Sequence, residues 1–424
     1  MALKATARIL YAAGIAAASG ALAGAALAED LVWDAAKSLG AVAVRERPRN
    51  AYDPDGIRVG NFLLFPEIGY GTVWTSNAGA GASGQPKDFR HELATSIDIR
   101  SQLPRHFLGL KASGRAVQYQ EQEEIRYVDG GAKASFRIDF DHAHAIFGSA
   151  SSMLAHDENV DADLPKGIKK PPTFLKSTAE IGLQRNSGRI DAAVGARYVR
   201  LDYDNAELND GSRLELDSRN YSILSPFVQL GLRLSPGYRV FAEIAGQFQE
   251  NRGTAEVDRD ARGVVASAGV HFELSPLVKV MLRGGVVQQD NLQVGLIDVM
   301  EPIWEGRLEW LVTPLVTLSL ATRREVRTST YGTAVGQLVT AHSIKAEYEM
   351  WRNLIISAQG SLGNASYIGE LREDTIWSGA VSLEYMHTKN WLFGLSYEHQ
   401  EIVSSAAEYD RKLDKIGLNI KYRF

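Results

Sequence analysis

Phe89-Arg90-His91-Glu92-Leu93-Ala94-Thr95-Ser96-Ile97-Asp98-Ile99-Arg100 changes character at almost every residue. In an extended chain successive side chains point to opposite sides. Phe89, His91, Leu93, Thr95, Ile97 and Ile99 therefore share one face, and Arg90, Glu92, Ala94, Ser96, Asp98 and Arg100 share the other. A strand with one apolar and one charged face separates two solvents. The pattern recurs at Ala132, Ala134, Phe136, Ile138 and Phe140 against Lys133, Ser135, Arg137, Asp139 and Asp141. It recurs again at Tyr238, Val240, Ala242, Ile244, Gly246 and Phe248, and at Trp304, Leu308, Trp310 and Val312 against Glu305, Arg307 and Glu309.

Scanning outward from residue 89 gives about eighteen such segments, an even number that suits a single-chain outer-membrane barrel. They begin near residues 61, 89, 106, 131, 143, 174, 188, 220, 238, 262, 277, 300, 315, 337, 353, 374, 390 and 411. Short connections hold turn-forming residues: Leu103-Pro104-Arg105, Asn186-Ser187-Gly188, Ser235-Pro236-Gly237, Ser275-Pro276, Thr313-Pro314, Arg352-Asn353 and Thr388-Lys389-Asn390. They alternate with longer polar stretches at 77–88, 121–130, 157–172, 204–219, 250–261, 288–297, 328–336, 365–373 and 402–410. Short periplasmic turns and long external loops are the habit of outer-membrane barrels. The expected fold is all-β: a transmembrane antiparallel up-and-down β-barrel of about 18 strands with a short N-terminal periplasmic extension.

A soluble β-sandwich also alternates. The polar faces here, however, mix opposite charges with Gly and Ala, and the last strand, Ile416 to Phe424, ends on an aromatic residue. Trp74, Trp304, Trp310, Trp351, Trp377 and Trp391 fall near strand ends on the apolar face, with Tyr385 beside them, as rings at a membrane–water boundary do.

The 424 residues carry a formal net charge of −5 and no Cys, which removes thiol chemistry; no basic segment points to nucleic acid. Lys4 and Arg8, an Ala-rich apolar run and Ala26-Leu27-Ala28 read as a cleavable export leader over residues 1–28. Residues 29–59 read as a periplasmic arm, with a short helix between Asp30 and Gly40 and an extended, turn-rich part that could meet a partner or fold into the lumen; the barrel then occupies 60–424. The expected location is the outer membrane of a Gram-negative bacterium, with its lipid as surroundings.

Alternation assigns to the lumen Arg90, Glu92, Asp98, Arg100, Lys111, Arg115, Lys133, Arg137, Asp139, Glu180, Arg189, Asp191, Arg197, Arg239, Glu243, Lys279, Arg283, Glu305, Arg307, Glu309, Arg323, Lys345, Glu347, Glu384, Lys415 and Lys421. Both signs are present. Such a face offers many weak hydrogen bonds to a hydrated cargo, or pairs its charges across strands and stiffens the wall. Inward aromatics are scattered, Phe107, Tyr119 and Phe241 among them, and make no sugar-stacking track; nor does a one-signed ring for anions stand out.

Catalysis finds no support: the nine His fall in no nucleophile motif, and G-x-S-x-G is absent. His142 and His144 read as a turn-lining pair rather than metal ligands, and Asp157, Asn159, Asp161 and Asp163 as a solvated acidic loop that lacks the Gly and Glu of a calcium loop. No metal and no cofactor is expected.

Arg47-Pro48, Tyr52-Asp53-Pro54-Asp55-Gly56-Ile57-Arg58-Val59-Gly60-Asn61-Phe62, Leu64-Phe65-Pro66 and Asn77 together resemble the opening signature of an outer-membrane β-barrel porin family. Tyr422-Arg423-Phe424 resembles the terminal-strand signal read by the barrel-assembly machinery, with Tyr422 and Phe424 as its aromatic residues. Members often accompany exopolysaccharide systems. The resemblance thus implies an outer-membrane exit for a secreted polysaccharide, working with a periplasmic polysaccharide export protein. The alternatives are a general diffusion or uptake porin for small solutes and a barrel whose loops bind something outside.

Overall fold

Alternation this regular leaves every strand with an apolar row that no neighbouring layer covers, and only a closed sheet can turn all those rows the same way. The computed structural model describes residues 42–78, 86–157, 168–253 and 257–424. The leader, the helix expected between Asp30 and Gly40, and Asn159, Asp161 and Asp163 lie outside the described residues. Nineteen strands form one antiparallel sheet. One is the three-residue Ile57–Val59; the others are numbered β1 to β18. They are β1 Phe62–Thr75, β2 Asp88–Ser101, β3 Phe107–Tyr119, β4 Arg126–Asp139, β5 His144–His156, β6 Thr173–Ser187, β7 Ile190–Tyr203, β8 Tyr221–Ser235 and β9 Tyr238–Asn251. The second half is β10 Ala261–Ser275, β11 Val278–Asn291, β12 Val299–Thr313, β13 Val316–Arg327, β14 Gly336–Trp351, β15 Leu354–Ile368, β16 Glu373–Met386, β17 Trp391–Ser404 and β18 Arg411–Arg423.

Each strand pairs with its chain neighbours, and β1 closes on β18 from Glu67↔Arg423 to Thr75↔Lys415. Because the chain ends at Phe424, the first residues of β1 run past the end of β18. Ile57–Val59 fills that gap, pairing Ile57↔Leu64, Arg58↔Leu63 and Val59↔Phe62, so the end of the expected arm belongs to the sheet. Gly56 (φ 72°) makes the turn into this strand, and the Phe65 ring lies 2.6 Å from where a Cβ would sit, so a side chain there would be both strained and blocked.

Seventeen of the eighteen strands start within two residues of the positions read from alternation. β4 starts at Arg126 rather than near 131. Residues 126–130 read as the end of a loop, but Tyr127 packs with Val117, Tyr119, Ile125 and Ala78, and the ladder continues through Arg115↔Asp129 and Gly114↔Gly130. The turn expected from His142 and His144 spans 140–143, where Asp141 Oδ1 accepts the amides of Ala143 (2.7 Å) and His144 (2.8 Å). Several long connections are shorter than expected: 365–373 shrinks to 369–372 because β15 runs to Ile368.

Leu93, Leu110, Ile181, Val228, Ile244, Leu282, Ile344 and Leu418 are exposed on the outer face, as lipid contact requires. Trp310, Tyr385, Trp391 and Tyr422 form an outer girdle at the short-turn end, where Tyr422 meets Trp391 and Phe424 edge-on with ring centroids 4.9 Å apart. Trp74, Trp304 and Trp377 lie toward the long-loop end; Trp304 and Trp377 stand a few residues inside their strands rather than at the tips. No helix among the described residues is long and apolar enough to cross a membrane.

Candidate functional site: the lumen and its two mouths

Residues i and i+2 of a strand share a face, and on the inner face opposite charges recur at that spacing. Arg90 pairs with Glu92 (2.7 Å), Arg100 with Asp98 (2.6 Å), Arg137 with Asp139 (3.0 Å), Arg307 with Glu305 (2.7 Å) and Lys345 with Glu347 (2.7 Å). Arg323 and Arg327 both reach Glu325 (3.2 and 2.7 Å). Pairs between strands join them: Lys111–Asp98 (3.5 Å), Arg115–Asp129 (2.5 Å) and Lys279–Glu309 (3.4 Å). Across β6 to β11, Arg197 holds both oxygens of Glu243 (3.1 Å each) and reaches Glu180 (3.5 Å), while Arg283 donates to Glu243 (3.2 Å) and to Ser267 Oγ (2.9 Å). Arg239 grips Asp191. The wall is charged throughout and largely neutralised locally.

The inner aromatic rings are covered rather than presented to the lumen. The Arg197 guanidinium lies 3.9 Å from the Phe227 ring centre, Arg239 lies 5.2 Å from Phe241 and Arg100 lies 5.3 Å from Phe65. Tyr119 and Phe241 are buried. Midway along the barrel, Ser113, Ala321 and Ser343 share the inward parity of their strands and are exposed, so the middle of the lumen is open to water.

At the short-turn end the arm folds into the mouth. Val44–Glu46 is one 3-10 turn, and Val44 is buried against Ile355, Met386 and Leu392, with Tyr52 packed beside them. The Val44 amide donates to Thr317 Oγ1 (2.9 Å). Arg45 reaches Glu347 (2.6 Å), Glu384 (3.4 Å) and Ser357 Oγ (3.0 Å). Arg47 and the fully buried Arg49 converge on Glu349 (3.2 and 2.9 Å). Arg423 Nη2 donates to Tyr52 O (3.1 Å), and Lys389 pairs with Asp55 (2.8 Å).

At the long-loop end, residues 328–335 fold inward. Ser329, Ala334 and Val335 are buried. Arg259, from the β9–β10 connection, donates to Ala334 O (2.9 Å) and Gly332 O (2.8 Å). Glu370, from the β15–β16 connection, accepts the amide and hydroxyl of Thr333 (2.8 Å each), which lowers its pKa below the ordinary glutamate value. Arg372 sits among Tyr409 (3.6 Å), Tyr367 (4.5 Å) and Tyr331 (4.6 Å) and holds Asp374 with two bonds (2.8 and 3.0 Å). Beneath it, Ile223, Gln249 and Gln289 share one cavity with Arg327 and with Thr328 and Val335 of the inward-folded connection.

The ion pairs above bring together Arg90, Glu92, Asp98, Arg100, Lys111, Arg115, Arg137 and Asp139 on β2 to β4, and Glu180, Arg197, Glu243 and Arg283 on β6 to β11. Arg189 lies exposed in the turn after Gly188, because β7 begins at Ile190. Glu349 was missed although it has the parity of Glu347, because nothing in the alternation distinguishes it before the arm is placed. The Arg-x-Arg-x-Arg spacing of 45–49 was the available signal for its partners. The external latch was not legible, since Arg259, Arg372 and Tyr409 come from three separate connections. His144 pairs with Asp141 (2.9 Å), and the described residues hold no cluster suited to a metal. Asp157 is buried and accepts the Tyr203 hydroxyl (3.2 Å), so it is part of the wall rather than a solvated ligand.

A closed barrel with an apolar outside and a charge-paired interior is the architecture of an outer-membrane β-barrel porin. The model of the family described as "Putative beta-barrel porin 2" matches residues 49–424, and the chain belongs to that family. No curated protein matches the chain. Among solved structures, the outer membrane protein opdK from Pseudomonas aeruginosa is 11% identical, with 85% of this chain and 98% of that one covered at a TM-score of 0.45. Acinetobacter baumannii OccAB4 is 10% identical over 89% and 100% of the two chains (TM-score 0.44), and Pseudomonas aeruginosa OccK2 (OpdF) is 9% identical over 86% and 98% (TM-score 0.48).

The family signature now has a physical meaning. Arg47 binds the wall, Asp53 Oδ2 accepts the Arg49 amide (2.6 Å), Asp55 meets Lys389, Gly56 makes the turn, and Asn77 Nδ2 donates to Lys412 O (3.3 Å) at the far end of the seam. These residues build the arm and the closure of β1 on β18.

Proposed function

We propose that the protein is a passive diffusion channel for small hydrophilic solutes across the outer membrane. The observation that carries this reading is that pieces of the chain itself occupy both mouths, the arm at one end and residues 328–335 at the other, around a watered middle. A hydrated small molecule needs only a connected water path. A polysaccharide needs clearance along the whole length at once, and the covered rings of Phe65, Phe227 and Phe241 give it no stacking track. The polysaccharide exit and the periplasmic export partner implied by the family resemblance gain no support from the comparisons.

Reconstituted in liposomes, the full chain should admit small sugars and amino acids at rates that fall steeply with solute size. Deleting the gene should leave surface polysaccharide unchanged. Periplasmic accumulation of polysaccharide in the deletion strain, reversed by the intact chain, would overturn this reading in favour of export.

A further inference from the structure

We propose that residues 43–55 are a displaceable plug of the periplasmic mouth, and that Arg45, Arg47 and Arg49 set the mouth's ionic preference by neutralising Glu347, Glu349 and Glu384. This rests on the diffusion reading above for its readout.

Over its described residues 42–56 the arm makes no ladder with the wall. Its two turns are closed from within: Glu46 N and Arg47 N donate to Ala43 O (3.0 and 3.1 Å), Tyr52 N and Asp53 N to Arg49 O (2.8 and 2.6 Å), and Arg49 N to Asp53 Oδ2 (2.6 Å). Arg49 Nη2 also donates to Val44 O (2.7 Å). A segment whose turns are closed by its own acceptors can leave the wall with those bonds intact. What ties it to the wall is side-chain chemistry: three guanidiniums on three carboxylates, the Val44–Thr317 and Arg423–Tyr52 bonds, the Lys389–Asp55 pair, and a small apolar contact of Val44 and Tyr52. Arg45 and Arg47 keep 22% of their side-chain surface exposed, so these pairs are reachable by water and salt. Gly56, at positive φ where arm meets wall, is the pivot.

The wall beneath carries the sign of the mouth. Glu347 and Glu349 stand on β14 and Glu384 on β16, with Lys345 and Arg352 as the wall's own cations on the first two. Lifting the arm takes Arg45, Arg47 and Arg49 off these carboxylates; Glu46, Asp53 and Asp55 leave with it, so what changes is the exposure of Glu347, Glu349 and Glu384 and not the net charge removed. The mouth then widens and its wall presents three uncovered carboxylates, which favour cations.

The test is single-channel recording in planar bilayers, with reversal potentials in a KCl gradient, on the full chain and on the triple variant R45Q/R47Q/R49Q. The variant should conduct more than the parent and shift its reversal potential toward cation selectivity. Equal conductance and equal reversal potential, with heat-modifiable migration showing that the barrel folded, would overturn the proposal while leaving the diffusion reading intact. Because the chain has no Cys, V44C/T317C can staple the arm to β13. The oxidised staple should hold the channel in its small-conductance state, and reduction should restore the parent's traces. Failure of the staple to form, or identical traces before and after reduction, would also count against a displaceable plug. No conductance from parent or variants, reduced or oxidised, would sink the diffusion reading as well.

Discussion

The two mouths are narrowed by opposite means. At the short-turn end one segment, joined to the wall at Ile57, lies in the lumen and is held chiefly by guanidinium–carboxylate pairs. At the external end several connections, each fastened to strands on both sides, are stitched to one another through Arg259, Glu370 and the Arg372–tyrosine cluster. A loop tethered at both ends loses little further entropy when it packs, whereas an arm must be held by its contacts alone. The external cap is therefore built as a fixed rim and the periplasmic arm as a removable part.

The sharpest way to break this contrast is at Glu349, which carries both Arg47 and Arg49. Glu349→Gln leaves the buried Arg49 without its carboxylate, a loss of about 3–5 kcal/mol for a buried pair broken on one side. We expect the arm to detach and become cleavable by added protease while the barrel stays resistant. The same class of lesion at the other mouth, Arg372→Ala, leaves Asp374 buried and strips one guanidinium from three tyrosines. Here proteolysis should rise within 328–335 and 405–410, but the strand-anchored loops should keep the mouth narrowed, so conductance should change less than on loss of the arm. A conductance jump larger than that of the arm variant would reverse the assignment of fixed and removable parts.

Wall pairs should matter least to either mouth. Arg137→Gln removes a partly exposed partner of Asp139 and should cost only about 0.2–1 kcal/mol, with unchanged conductance. The smallest effect is expected outside the lumen, at the 140–143 turn. His144 and two backbone amides donate to the Asp141 carboxylate and lower its pKa to about 2. Stability from a depressed carboxylate is present above its unfolded value and is lost as pH falls through the folded one. Comparing Asp141→Asn with the parent by thermal unfolding should show a difference that shrinks as pH falls from about 4 to about 2. A difference that grows on acidification would refute it.

The contrast between mouths also divides what could be read in the chain from what could not. Strand existence, inward parity and the alternation of short turns with long loops follow from neighbouring residues, because a strand's period of two is a local property and both faces meet uniform surroundings. Parity alone assigns Arg90, Glu92, Asp98, Arg137 and Asp139 to one face of their strands, whereas Arg189 sits in a turn because β7 starts at Ile190. Residues 126–130 looked like loop because composition does not report the ladder partner across β3. The arm's position needed Glu347, Glu349 and Glu384, some three hundred residues away, and the external latch needed three connections at once. By itself the sequence determined a closed sheet with a charged interior and a porin-family opening. Only the tertiary structure decided where the arm lies and which loops lock together, because those contacts join residues distant in the chain that meet only after β1 closes on β18.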